Sequence, residues 1–158
     1  MKMVSKSGQK TKWDWVVVLF NWIFMRSMYN RSFRDGIILV DQGMFQAVWS
    51  TLLSAENKIS VEEIISGSRA GFPNVLCVID VSRETMEQGI KERNTNDSRL
   101  EKTDQEESKQ LLDKGIAVHE LIMDYIRKNR CEYVIVDNND RDDSIDKAIK
   151  EIADRIAD

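Results

Sequence analysis

The chain has 158 residues, 42% hydrophobic and 32% charged, which is enough for a folded core and too apolar for a disordered chain. Its formal net charge of −4 leaves no basic footprint for nucleic acid. Cys77 and Cys131 stand far apart beside apolar runs and read as buried, reduced thiols of a cytoplasmic protein, not as a metal pair.

Residues 1–12, with Lys2, Lys6, Lys10 and Lys12, read as a disordered tail. The apolar stretch Trp13–Met25 follows. A basic leader before such a stretch can mark a secretion signal, but Asp14 and Asn21 interrupt it and no small-residue cleavage site follows Met25. The stretch is also short for a membrane span, so no membrane partner is expected. Its spacing predicts a helix over 13–31 that buries Trp13, Val17, Phe20, Phe24 and Met28 on one face.

The β-branched run after Gly36 predicts a strand over 37–41, buried on both faces as in a parallel sheet and ending on Asp41. A helix is expected over 44–55. Ser60, with Glu63 three residues on, opens a short helix through a capping box, ending near Gly67. Gly71-Phe72-Pro73 marks a turn. A strand over 75–81 precedes a helix capped by Ser82, with Met86 and Ile90 turned inward. Residues 93–102 are polar and unpatterned. A long helix over 103–129 carries Leu112, Ile116, Ile122 and Ile126 on its buried stripe. A strand over 133–137, a polar loop over 138–142 and a closing helix over 144–157 complete the chain. Strands alternating with helices predict an α/β fold, a parallel sheet with flanking helices and right-handed crossovers. Ligands of such sheets bind at the carboxyl ends of the strands, where Asp41, Asp80 and Asp137 stand.

Arg93 and Arg99 flank an Asn-rich link. Guanidinium groups there suit an anionic ligand, because they stay charged and donate in a planar fork; they also suit an ordinary solvated loop. His119, the only histidine, lies within the long helix pattern and leaves no His-dependent triad. The stretch from Asp137 to Asp143 lacks the glycine and distal glutamate of an EF-hand loop, and reads as a loop running into a helix N-terminus. Phe45 and Trp49 could stack on a base, although aromatics after a strand more often enter the core.

The order of several segments adds to this reading. Asp41-Gln42-Gly43 is followed by Phe45-Gln46, and then by the strand Asn74–Val81. Gly89–Arg93 leads to Asp97–Glu101, and Tyr133–Asp137 comes last. From about Leu19 onward, the chain resembles the later part of the thymidylate kinase-like branch of the P-loop nucleoside monophosphate kinases. The resemblance implies a single P-loop kinase-like domain that transfers a phosphoryl group from ATP, with Mg²⁺, to a nucleoside or nucleoside monophosphate. It places Asp41 on the acceptor or a Mg²⁺-bound water, with Gln42, Phe45 and Gln46 on the acceptor. Arg93 and Arg99 would then close on the transferred phosphoryl, and Asn138 and Asn139 would line the adenine side.

Two departures qualify this. No G-x-x-x-x-G-K-[ST] segment is present; the nearest text, Ser7-Gly8-Gln9-Lys10-Thr11, lacks the glycines that let backbone N–H groups cradle phosphate. Gln42 also stands where the family has an arginine. The expectation is therefore an incomplete kinase, as from a fragment or a misplaced start, or else a non-catalytic interaction or regulatory module derived from that fold. A sheet missing its middle strand, beside so apolar a first helix, further predicts a homodimer with Trp13, Trp15 or Trp22 near the contact.

Overall fold

A computed structural model describes residues 2–31, 38–40, 43–68, 72–93, 105–139 and 141–157. The elements are α1 (Lys2–Ser7), α2 (Lys12–Arg31), α3 (Met44–Leu53), α4 (Val61–Ser68), β1 (Leu76–Asp80), α5 (Arg83–Arg93), α6 (Gln105–Lys128), β2 (Tyr133–Asp137) and α7 (Arg141–Ala157). The chain divides into two compact units: Met1–Phe72 with Asp113–Tyr125, and Pro73–Leu112 with Ile126–Asp158.

The first unit is helical. Its opening residues are not a tail: Lys2–Ser7 form α1, and Val4 and Ser7 are fully buried. Backbone pairing with a distant loop holds this segment. The Glu56 N–H donates to the Gly8 carbonyl (2.7 Å), and the Asn57 N–H to that of Ser7 (3.0 Å). The Asn57 side-chain amide donates to the Lys6 carbonyl at 3.0 Å. Such long-range pairing has no local sequence signature, so lysine content alone misled. Gly8 ends α1 in the left-handed region, with φ of 58°. A Cβ on it would stand 2.6 Å from the Asn57 amide nitrogen. Gly8→Ala should lower stability by about 1–2 kcal/mol from the backbone conformation alone; an unchanged urea midpoint would contradict this.

Thr11 and Asp14 start α2 reciprocally: the Asp14 N–H donates to Thr11 Oγ1 (3.0 Å), and the Thr11 N–H to Asp14 Oδ2 (3.1 Å). The segment nearest in text to a phosphate loop is thus a turn between two helices. The helix follows the expected span, but its faces are exchanged. Asp14, Val18, Trp22 and Met25 are buried, while Trp13 is 71% exposed, Phe20 65% and Phe24 60%. Val17 and Met28 are half-buried. Because α2 is apolar on nearly every side, its periodicity does not select the face that enters the core. A specific contact does: Trp22, only 3% exposed, donates its indole N–H to Thr51 Oγ1 at 2.9 Å. The Thr51 hydroxyl in turn donates to the Ala47 carbonyl at 2.7 Å.

Helix α3 supplies the facing surface, burying Met44, Ala47, Val48, Thr51 and Leu52. Segment Asp113–Tyr125 of α6 meets it at Gly115, whose carbonyl accepts the Trp49 indole N–H at 3.1 Å. Nearby, the Lys114 ammonium donates to the Ala55 carbonyl at 3.0 Å. Burial, and then the charge of Lys10, hold the Lys114 pKa below the ordinary lysine value. Helix α4 begins with the expected capping box: the Glu63 N–H donates to Ser60 Oγ, and the Ser60 N–H to Glu63 Oε2, both at 3.1 Å.

The strand expected over 37–41 is not formed by its described part. Ile38, Leu39 and Val40 belong to no strand, and Leu39 is 86% exposed. A β-branched run becomes a strand only beside a partner, and among the described residues none pairs with it. Ile37 and Asp41 lie outside the described residues.

The second unit holds a parallel two-stranded sheet flanked by helices, a mixed α/β arrangement. Its register pairs Leu76 with Tyr133 and runs to Asp80 with Asp137. Helix α7 packs on β2, and Val134 and Ala148 are buried. Ser82 caps α5 as expected, accepting the Thr85 N–H at 3.2 Å. Met86 and Ile90 are half-buried. On the α6 stripe, Leu112, Ile122 and Ile126 are buried and Ile116 is half-buried. The sheet is not covered on both faces: Cys77, Ile79 and Ile135 are exposed. Neither cysteine is therefore buried as expected, Cys131 being half-exposed, because two strands with one packed helix leave much of the sheet bare.

Candidate functional site

The carboxyl ends of β1 and β2 gather the polar groups that an α/β sheet offers a ligand. Both strands end on aspartate, and the register sets Asp80 beside Asp137. The turns beyond are tied through Asn139. Its Oδ1 accepts the Ser82 N–H (2.9 Å) and the Thr85 hydroxyl (3.0 Å). Asp137 Oδ1 accepts both the backbone N–H of Asn139 (2.9 Å) and its side-chain amide (2.8 Å). Asn138 donates its N–H to the Asp80 carbonyl at 2.9 Å, and the Asp137 N–H reaches Ser144 Oγ at 2.7 Å. The sequence placed Asn138 and Asn139 together in this loop but missed Ser82 and Thr85 as the partners of Asn139. The signal was the repeated Asp followed by a helix start. Among the described residues no group of three or more His, Cys, Asp or Glu side chains is placed to hold a metal ion.

A groove of about 740 Å³ lies beside β2, lined by Tyr133, Ile135, Asp137, Lys147, Glu151 and Arg155 among others. Arg155 is not available as a bare cation there: its Nη2 meets Glu151 Oε1 at 2.6 Å, with Glu132 at 3.8 Å on Nη1.

The remaining predicted site residues fall elsewhere. Arg93 is the last residue of α5. Phe45 and Gln46 are in the first turn of α3, in the other unit, so the predicted residues divide between two units. Gln46 is exposed. Phe45 belongs to an aromatic triangle with Phe72 and Tyr125, with ring centroids 6.2–6.4 Å apart, which is the packing distance of a structural cluster. Tyr29 stands by this helix start; burial raises its phenol pKa above the ordinary value, and a hydrogen bond with the Met44 backbone opposes the shift. Asp41, Gln42 and Arg99 lie outside the described residues.

An apolar surface lies on α2. Trp13, Trp15, Phe20, Ile23 and Phe24 are all exposed. Monomeric proteins rarely show contiguous apolar patches of this kind without a partner for them. No helix among the described residues is long and apolar enough to cross a membrane. No family model, no curated protein and no solved structure matches the chain.

Proposed function

We propose that this chain is a protein-interaction module whose docking surface is the outer face of α2. The observation that carries this is the exchange of faces on that helix. Its polar cap and Trp22 turn inward to a specific hydrogen bond, while three bulky aromatics turn out. Aromatics are the side chains that dominate interfaces once desolvated.

The test needs no partner. In dilute solution the double variant Phe20→Ser/Phe24→Ser should keep its unfolding midpoint to within about 0.5 kcal/mol, as surface substitutions do. A loss above about 2 kcal/mol, the size of a core truncation, would make the face part of the chain's own core and remove the proposal.

Nucleotide-dependent phosphoryl transfer on a thymidylate kinase-like fold is the second reading. It is favoured by the aligned Asp80 and Asp137 at parallel strand ends. Mg²⁺ accepts such a donor pair, since it binds through one or two carboxylates and keeps its waters. Asn139 has its side chain engaged by Ser82, Thr85 and Asp137, which leaves Asn138 as the residue of this loop to meet an adenine. Without a phosphate cradle, ATP should show no saturable binding at sub-millimolar concentration, where only a few contacts remain. Micromolar binding by calorimetry would favour this second reading over the first.

A further inference from the structure

We infer that the partner of α2 is a second copy of this chain, and that the two helices pack antiparallel about a two-fold axis at Phe20. The inference rests on the interaction reading above and names its occupant. Trp13, Val16, Phe20, Ile23 and Ser27 follow one another at alternating spacings of three and four residues, the seam of a helix pair. Val17, Leu19 and Phe24 flank this seam, and the residues on the opposite side, Val18 and Met25, are buried in the first unit.

Area favours a second copy. Trp13, Phe20 and Phe24, at 60–71% exposure, offer about 400 Å² per chain, taking about 200 Å² for a whole aromatic side chain. Two copies bring about 800 Å² from these aromatics, and the exposed Ile23 with the half-buried Val16 and Val17 carries the sum toward the roughly 1,000 Å² of a specific interface. Charge points the same way. No Asp, Glu, Lys or Arg occurs from Trp15 to Met25, so two like surfaces meet without burying a charge and nothing selects a charged partner. Phe20 is the midpoint between Trp13 and Ser27, so an antiparallel pair sets it against its own counterpart and opposes the two helix dipoles.

A charge exchange at this midpoint tests the pairing. The wild-type 158-residue chain should sediment at twice the chain mass as concentration rises. Phe20→Glu and Phe20→Lys should each weaken dimerisation by about 100-fold, the loss that a hot-spot aromatic carries, with the circular dichroism spectrum unchanged. Mixed in equal amounts, the two variants should regain a dimer, because glutamate then faces lysine. A mixture that stays monomeric while the wild type dimerises would overturn the two-fold arrangement. A wild type that stays monomeric at high concentration would overturn the second copy as partner, as would binding to anionic vesicles in its place. The interaction reading itself is tested separately and falls if Phe20→Ser/Phe24→Ser also destabilises the dilute chain.

Discussion

Trp22→Ala should destabilise the first unit by about 3–5 kcal/mol, the range for truncating a buried large aromatic. Two losses combine at this position. The cavity left between α2 and α3 forfeits the packing of a side chain only 3% exposed. The Thr51 hydroxyl also loses its donor, though it keeps its own bond to the Ala47 carbonyl. Stabilities of small domains lie at about 5–15 kcal/mol, so this one change removes a large share of the total. Phe20→Ala is the paired control. It truncates an aromatic of similar bulk on the same helix and, in dilute solution, should shift the midpoint by less than about 0.5 kcal/mol. Urea unfolding followed by circular dichroism separates the two. Equal losses would contradict the assignment of the faces.

Gly115→Val should cost about 2 kcal/mol, the middle of the range for overpacking a well-filled core. A Cβ there would stand 3.2 Å from Trp49 Cζ2 and 3.9 Å from Leu53 Cδ1. The contact is with a ring that is itself fixed by its bond to the Gly115 carbonyl, so it cannot swing aside cheaply. Gly115→Ala sets this crowding against the better helix propensity of alanine, worth about 1 kcal/mol, and should be near neutral. Gly89 gives the opposite sign. It lies inside α5 with no atom within 4 Å of a built Cβ, so Gly89→Ala should stabilise by about 1 kcal/mol. Thermal or urea unfolding of the three variants reads the order directly; a Gly115→Val chain as stable as wild type would refute the close approach of α6 to α3.

What the sequence made legible was mostly local. Ser60 and Glu63 announce α4 because both halves of the capping box lie within four residues. Ser82 announces α5 in the same way, and the runs at β1 and β2 are short, apolar and bounded by polar turns. The failures were non-local. Val4 is buried by contacts that α1 makes with α2, α3 and α4, and no pattern within residues 1–12 encodes them. Ile38–Val40 has the composition of a strand, but a strand also requires an edge to pair with, and composition does not supply one. On α2 the apolar signal was so complete that it lost direction; one indole–hydroxyl bond to Thr51, 29 residues away, identifies the inner face. At the candidate sites, the sequence located Asn138 and Asn139 as a strand-end loop. The Asn139 partners Ser82 and Thr85 became visible only once β1 and β2 were set side by side.

The account turns on which way α2 faces. Hydroxyl-radical footprinting of the dilute 158-residue chain, read by mass spectrometry residue by residue, measures that most directly. Trp13, Phe20 and Phe24 should be oxidised rapidly and Trp22 protected, in keeping with 71%, 65% and 60% exposure against 3%. Oxidation of Trp22 as fast as Trp13, or protection of all four in the dilute chain, would contradict the account.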